Sequence, residues 1–138
     1  MKINNYLIFR EDGVGDLMLT TPVFRLIKKL NKKNKILLIT SNRNKSYAKL
    51  LLKTSLIDEI YNIDENSKYG KLIEVYLLYK RVNQFKPNIS FVYRQKIQNY
   101  LISRLLSKYV FGLVTVNPAR FFGSRYRPFK FIINFLMN

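Results

Sequence analysis

Short apolar runs alternate with longer segments of helical spacing along the first 114 residues of the chain. The apolar runs predict β-strands at residues 6–9, 35–40, 58–64, 89–93 and 109–114, and helices are predicted at 45–53, 71–85 and 97–106. Continuous apolar strands are typical of a parallel sheet that is covered on both faces. The alternation therefore predicts right-handed β-α-β units and an α/β fold, a Rossmann-like parallel sheet flanked by helices.

The connection after the first predicted strand is acidic. Glu11, Asp12 and Asp16 lie within six positions, although the whole chain has only eight acidic residues and a formal net charge of +17. Parallel sheets bind ligands beyond the carboxyl ends of their strands, near the point where the strand order reverses. The cluster is therefore interpreted as the rim of an active site.

The start of the helix after this loop has more than one interpretation. Asp16 is placed to cap a first helical turn over residues 17–20, with Gly13 and Gly15 permitting a tight turn. Thr21 and Pro22 form a second candidate start, with threonine as the N-cap and proline at the first helical position. A proline inside a longer helix would instead kink it. A purely structural role for Asp16 as a cap stays open at this point.

The composition restricts the chemistry that the chain can perform. It contains no cysteine and no histidine, so disulfides, thiolate or histidine zinc sites and histidine-based triads are excluded. Any general base must be a carboxylate, a tyrosine or a lysine. The 25 basic residues favour a polyanionic partner such as a nucleic acid, an anionic membrane or a phosphorylated substrate, unless they reflect compositional drift. They are spread along the chain, which counts against a nucleic-acid-binding arm.

Two common phosphate-binding motifs are not met. Gly13, Gly15 and Met18 occupy the three glycine positions of the dinucleotide fingerprint, so the third glycine is missing. No Gly-Lys-Ser/Thr sequence occurs, which excludes a lysine-type phosphate loop.

Residues 10–22, Arg-Glu-Asp-Gly-Val-Gly-Asp-Leu-Met-Leu-Thr-Thr-Pro, resemble the N-terminal signature of glycosyltransferase family 9. This is the family of the ADP-heptose:lipopolysaccharide heptosyltransferases. Its pattern, Arg-x-Asp-x-x-Gly-Asp-x-x-x-Thr-x-Pro after a strand, is met at each position. Residues 39–44, 57–60, 91–94 and 111–113 are also similar to the family's later strands and turns, so the resemblance covers roughly residues 5–113.

The resemblance implies the N-terminal, acceptor-binding half of a GT-B fold that performs an inverting sugar transfer without a metal or other cofactor. Asp16 corresponds to the family's general base. Seven residues are then predicted on the acceptor side: Arg10, Asp12, Gly13, Gly15, Thr20, Arg43 and Arg94. The arginines are suited to an anionic glycolipid or saccharide acceptor, such as one with a Kdo carboxylate or a lipid phosphate.

The chain also departs from the family pattern. Val92 and Gln95 replace the Asp and Gly common near the fourth strand, and the family's second domain, which carries the nucleotide-sugar site, has no counterpart here. Residues 1–116 are therefore predicted to form the acceptor-binding domain. Residues 117–138 are predicted to be a basic, aromatic tail that leads toward a missing C-terminal domain.

These departures predict a truncated or split glycosyltransferase that is inactive alone and works with a separately encoded C-terminal half. The expected location is cytoplasmic, with peripheral contact at the inner face of the inner membrane. The alternative is a basic, non-catalytic module that binds RNA or an anionic membrane surface.

Overall fold

The computed structural model describes residues 3–64, 70–93 and 96–112, apart from the side chain of residue 71. The strands are β1 (Asn5–Phe9), β2 (Lys35–Ser41), β3 (Glu59–Ile63), β4 (Ile89–Val92) and β5 (Tyr109–Gly112). The helices are α1 (Val14–Leu30), α2 (Lys45–Lys53), α3 (Gly70–Phe85) and α4 (Ile97–Leu106). Each strand is followed in sequence by a helix up to β5.

The strands form one parallel sheet in the order β3-β2-β1-β4-β5. The chain adds strands on one side of β1 and then crosses to place β4 on the other side. Tyr6 consequently pairs with Ile36 of β2 and with Ile89 of β4. The strand order therefore reverses at β1, and the acidic loop begins at the carboxyl end of that strand. The prediction of a Rossmann-like parallel sheet is confirmed.

Both faces of the sheet are covered, as the apolar runs predict. Side chains alternate along β1, so Ile8 packs on one face with Leu17 and Phe24 of α1, while Phe9 packs on the other with Leu78 of α3. The first face is also covered by α2 and the second by α4. Burying these side chains is the main stabilising contribution to such a fold.

The largest difference from the predicted elements concerns α1. The helix is continuous from Val14 to Leu30, its N-cap is Gly13, and Pro22 lies inside it. Thr21–Pro22 is therefore not the helix start. Pro22 cannot donate a backbone hydrogen bond to the preceding turn, but it is solvent-exposed and leaves the buried side of the helix unbroken.

The other boundaries differ by a residue or two. β3 is shorter than the predicted 58–64 by one residue at each end. At the first of these positions the Asp58 carboxylate accepts the backbone N–H of Ile36 at 2.7 Å, and the Asp58 N–H donates to the carbonyl of Ile36 at 3.0 Å. The predicted end of β5 at 113–114, the boundary at 116 and the tail at 117–138 lie outside the described residues. Within the ranges described, none of the helices combines the length and apolar character needed to cross a bilayer.

Candidate functional site

The loop between β1 and α1 is held by the neighbouring turn after β2. Ser41 donates its hydroxyl to the carbonyl of Glu11 at 2.8 Å, and the Asn44 side-chain amide donates to the carbonyl of Arg10 at 2.7 Å. Asn44 in turn accepts the backbone N–H of Ser41 at 3.1 Å. Ser41 and Asn44 are fully buried. These contacts fix the path of the loop where it leaves the sheet.

Glu11 anchors the loop from the other side. Its side chain is completely buried, and its carboxylate accepts hydrogen bonds from Lys96, just before α4, and from Asn99 at 2.5 Å. A buried carboxylate requires such partners, because its desolvation is otherwise unfavourable. Glu11 is therefore part of the scaffold beneath the loop rather than of its open surface.

The guanidinium of Arg10 is directed into the loop. Its Nε and Nη2 donate to the carbonyl of Asp16 at 3.1 and 2.9 Å, and Nη1 lies 3.1 Å from a carboxylate oxygen of Asp12. It also stacks on the ring of Tyr93, 4.7 Å from the centroid. With 11% of its side chain exposed, Arg10 uses its donors to hold the first turn of α1. To contact an acceptor as predicted, the Arg10 guanidinium would have to bind it in addition to Asp12 and the carbonyl of Asp16.

The three loop carboxylates differ sharply in exposure. Glu11 is buried, Asp12 is 26% exposed in its ion pair with Arg10, and Asp16 is 52% exposed. An Asp16 oxygen lies 3.7 Å from Arg10 Nη2, a longer and weaker ion pair. Of these three, Asp16 therefore presents the carboxylate that an incoming group could reach most readily.

Asp16 is not the N-cap of α1. That position belongs to Gly13, and no side chain caps the helix there. Asp16 instead lies in the first turn, where a negative charge interacts favourably with the helix dipole. The interpretation of Asp16 as a cap was wrong because the helix begins two residues before it.

The two glycines have ordinary backbone conformations and open surroundings. Gly13 is extended, with φ −73° and ψ 169°, and within the described ranges Gly70 alone among glycines has positive φ. Neither glycine therefore needs a left-handed backbone conformation, since Gly13 is the N-cap of α1 and Gly15 lies in its first turn. A methyl group added at Gly15 would meet no atom within 4 Å. The surface beside Asp16 is consequently open at Gly15.

The remaining predicted site residues are placed differently. Thr20 is buried and donates its hydroxyl to the carbonyl of Asp16 at 2.9 Å, so it supports the same turn from within the helix. Arg43 is exposed in the turn after β2, at the same edge of the sheet. Arg94 lies outside the described residues.

An aromatic pocket of about 160 Å³ lies at the carboxyl ends of β4 and β5, lined by Phe91, Val92, Tyr93, Phe111 and Gly112. Burial raises the pKa of Tyr93 above its usual value, and the nearby Arg10 guanidinium partly opposes that rise. Tyr93 is thus a neutral hydroxyl at physiological pH that links the pocket to the Arg10 cluster.

Sequence analysis missed Ser41, Asn44, Lys96 and Asn99 as contributors to this site. Buried polar residues directly after the second strand were a usable signal for the first two. The other two lie 85 and 88 positions from Glu11, and no local pattern links them to it. Among the residues that the structure describes, no group of three or more acidic side chains converges in a way that could hold a metal ion.

Comparison with solved structures finds a similar fold in a glycosyl transferase of family 9 from Veillonella parvula DSM 2008. The TM-score is 0.66 and the sequence identity 16%, over 82% of this chain and 33% of that protein. The chain thus spans about a third of the length of that glycosyltransferase. No protein-family model matches the sequence. No curated protein matches it at a significant level either. The likeness establishes a fold similar to that of a family 9 glycosyltransferase.

Proposed function

We propose that this chain is the acceptor-side part of an inverting glycosyltransferase related to family 9, with Asp16 as the general base. The observation that carries the proposal is the exposure of Asp16, the most accessible of the three loop carboxylates, beside open space at Gly15. The loop lies where the strand order reverses, which is where open α/β sheets bind ligands. The similarity to the Veillonella parvula protein supports the same assignment.

The proposed step needs one proton acceptor. An acceptor hydroxyl attacks the anomeric carbon of the nucleotide-sugar, and its oxygen forms the new glycosidic bond. The hydroxyl proton passes to the Asp16 carboxylate, while the bond to the leaving nucleotide phosphate breaks and that phosphate keeps the electron pair. Positioned general bases of this kind contribute about 10²–10⁴-fold to a rate.

Arg10 has a different proposed role from the one that the sequence suggested. Its guanidinium donates a hydrogen bond to the carbonyl of Asp16 and lies 3.7 Å from the Asp16 carboxylate, so Arg10 orients the base. Arg43 is exposed at the same edge, and its positive charge suits an anionic acceptor such as a Kdo saccharide. Arg94 remains part of this proposal by resemblance, and Thr20 supports the turn that carries Asp16.

The donor requires a second binding unit. The chain spans about a third of the Veillonella parvula protein, so the nucleotide-sugar site is assigned to a domain that acts together with this one. Transfer is proposed to be independent of a metal ion, which is tested by measuring it in the presence of EDTA.

The first experiment measures binding of a Kdo disaccharide to the chain by ligand-observed NMR. We expect saturable binding that weakens about fivefold or more in Arg43→Gln, because a charged contact of about 1–2 kcal/mol is lost. In Asp16→Asn we expect binding to persist, since the amide keeps the shape of the side chain. Absence of saturable binding to the unmodified chain would contradict the acceptor assignment.

The second experiment tests the base. The chain is supplied with a separately expressed donor-binding domain of a family 9 enzyme, and transfer from ADP-heptose to the Kdo disaccharide is measured. Asp16→Asn should reduce the rate about 100-fold or more. Glu59→Gln is the matched control. Glu59 is the first residue of β3, so it lies at the amino-terminal ends of the strands, whereas the loop with Asp16 lies at their carboxyl ends. If both variants lose activity equally, or neither does, Asp16 is not the base.

A further inference from the structure

The aromatic pocket at the carboxyl ends of β4 and β5 is built from side chains on one face of the sheet. Phe91 and Phe111 are paired across the two strands, and their rings stack with centroids 5.4 Å apart. Tyr93 directly follows β4 and stacks on Phe91 at 6.4 Å. Phe91 and Tyr93 are half-buried, whereas Phe111 is 54% exposed. Three aromatic rings therefore line a pocket that is open to solvent at β5.

The position of this pocket distinguishes it from the exposed apolar side chains elsewhere on the chain. Those of α1 and α3 lie on the outer sides of helices, whereas the pocket is a recess at the end of the sheet. α1 and α2 pack on the same face of the sheet as Phe91, and α3 and α4 pack on the other face. Because Phe111 stays exposed on the edge strand, these four helices leave the pocket accessible.

Tyr93 connects the pocket to the acidic loop. Its ring lines the pocket and also packs against the Arg10 guanidinium, 4.7 Å from the ring centroid. Arg10 in turn lies 3.1 Å from a carboxylate oxygen of Asp12 and 3.7 Å from one of Asp16. β4 pairs directly with β1, and neighbouring strands lie about 4.8 Å apart, so the loop is one or two strand widths from the pocket. Arg10, Asp12 and Asp16 therefore form a charged rim beside the aromatic rings.

The aromatic lining and the charged rim together select the chemistry of the ligand. The face of an aromatic ring is slightly negative, so it attracts C–H groups. An acyl chain or an apolar protein segment could fill the pocket, but it would replace the water around the charged rim without offering hydrogen bonds, which is unfavourable. A pyranose ring meets both requirements, because its axial C–H groups form apolar faces and its hydroxyls project from its edge. The volume of about 160 Å³ is small and suits one ring rather than an extended ligand.

We propose that this pocket is a stacking subsite for one neutral pyranose ring. Phe111 and Tyr93 would contact a C–H face of the ring, and its hydroxyls would point toward the charged rim. The binding stands by itself, whereas the role of the ring as part of an acceptor rests on the proposed function. If both hold, the acceptor has at least two sugar units, an anionic one at Arg43 and a neutral one at the pocket. The Asp16 loop would lie between them, because β1 lies between β2 and β4.

The test is saturation-transfer difference NMR of the full chain with methyl β-D-glucopyranoside, a neutral sugar whose ring protons are all axial. We expect saturable binding in which one face of the ring receives the larger saturation, either the protons on C1, C3 and C5 or those on C2 and C4. Sorbitol carries similar hydroxyls without a ring, so it is the control ligand and should show no saturable binding.

Variants of Phe111 separate stacking from general apolar contact. Phe111→Ala should weaken glucoside binding about threefold to tenfold, because one aromatic contact is lost. Phe111→Leu keeps apolar volume without a ring and should weaken binding to a similar extent, whereas Phe111→Trp keeps an aromatic face and should retain binding. Tyr109→Ala is the matched control, because Tyr109 is 51% exposed on the same strand but lies at its amino end, outside the pocket. It should leave binding unchanged, and far-UV circular dichroism should show all variants folded.

Several results would overturn the proposal. One is the absence of saturable glucoside binding to the unmodified chain. Others are an equal loss in Tyr109→Ala, full binding in Phe111→Ala, or tighter binding of adenosine, a ligand that stacks through a planar base. A dimer in solution that Phe111→Ala converts to a monomer would likewise show that the pocket is covered by a second copy of the chain.

The two proposals can fail separately. Binding of the Kdo disaccharide without binding of the glucoside would contradict the stacking subsite and leave the acceptor assignment in place. Binding of the glucoside without any Kdo binding would support the subsite and contradict the assignment of an anionic acceptor.

Discussion

Replacing Glu11 by alanine should destabilise the fold by about 3 kcal/mol, although Glu11 is not proposed to act on a substrate. The carboxylate is fully buried and accepts hydrogen bonds from Lys96 and Asn99. Removing one partner of a buried ion pair typically costs about 3–5 kcal/mol, because the other charge loses its compensation. Lys96 is 26% exposed and can turn toward water, so we expect the lower end of that range.

The size of the loss should depend on what replaces the charge. Glu11→Gln keeps the shape of the side chain and loses the charge, so about 2 kcal/mol is expected from the weaker hydrogen bonds. The double variant Glu11→Leu/Lys96→Met removes both charges. It should cost less than Glu11→Ala but still about 1–2 kcal/mol, because no charge is left unpaired while the buried amide of Asn99 loses its acceptor.

Urea unfolding measures these differences. With a slope of about 1–3 kcal/mol per M, a loss of about 3 kcal/mol lowers the midpoint by roughly 1 M or more. The control is Glu59→Ala, which breaks the ion pair between Glu59 and Arg81 at 2.5 Å. Both of those side chains are more than a third exposed, so a change of about 0–1 kcal/mol is expected. Equal effects of Glu11→Ala and Glu59→Ala, or additive effects of the two changes in the double variant, would refute the reasoning.

Three further predictions concern stability. Gly112→Ala should lower the free energy of unfolding in urea by about 1–3 kcal/mol, because the added methyl group would lie 2.5 Å from Tyr100 Cζ. Adding Tyr100→Phe should not restore the lost stability, since the ring carbons remain in place. Burial raises the folded-state pKa of Tyr93 and Tyr100 above the unfolded value of about 10. Between these values the folded state keeps protons that the unfolded state loses. The stability that the two tyrosines contribute is therefore fully present below pH about 10 and is lost as pH rises through their folded-state pKa values. Variants with phenylalanine at these positions should show a smaller fall in the free energy of unfolding over the same pH range. Asp58→Ala should cost about 1–3 kcal/mol in thermal unfolding, because the N–H of Ile36 loses its acceptor, and a change below about 0.5 kcal/mol would contradict this.

Much of the fold could be predicted from local patterns. A strand that is covered on both faces is apolar over most of its length, so the strands at 6–9 and 35–40 were recognisable from their continuous apolar runs, which in the second strand are residues 36–39. The helices at 45–53 and 97–106 were predicted with their observed bounds for a similar reason. The start of α1 was not, because a glycine N-cap carries no side chain that signals it, and Pro22 suggested a later start.

The candidate site was likewise predicted in part: local sequence located the loop, and contacts between distant residues decided which carboxylate is exposed. By itself, the sequence located an acidic loop at the carboxyl end of the first strand, because the loop and the strand are adjacent in the chain. It could not decide which carboxylate is open, since that depends on residues brought together by the strand order. Because β4 lies beside β1, Lys96 and Asn99 contact the Glu11 carboxylate, which is buried. The Arg10 side chain is directed into the loop and forms an ion pair with Asp12. Only the tertiary structure therefore distinguished Asp16 as the exposed carboxylate, because burial and pairing are set by contacts between distant parts of the chain.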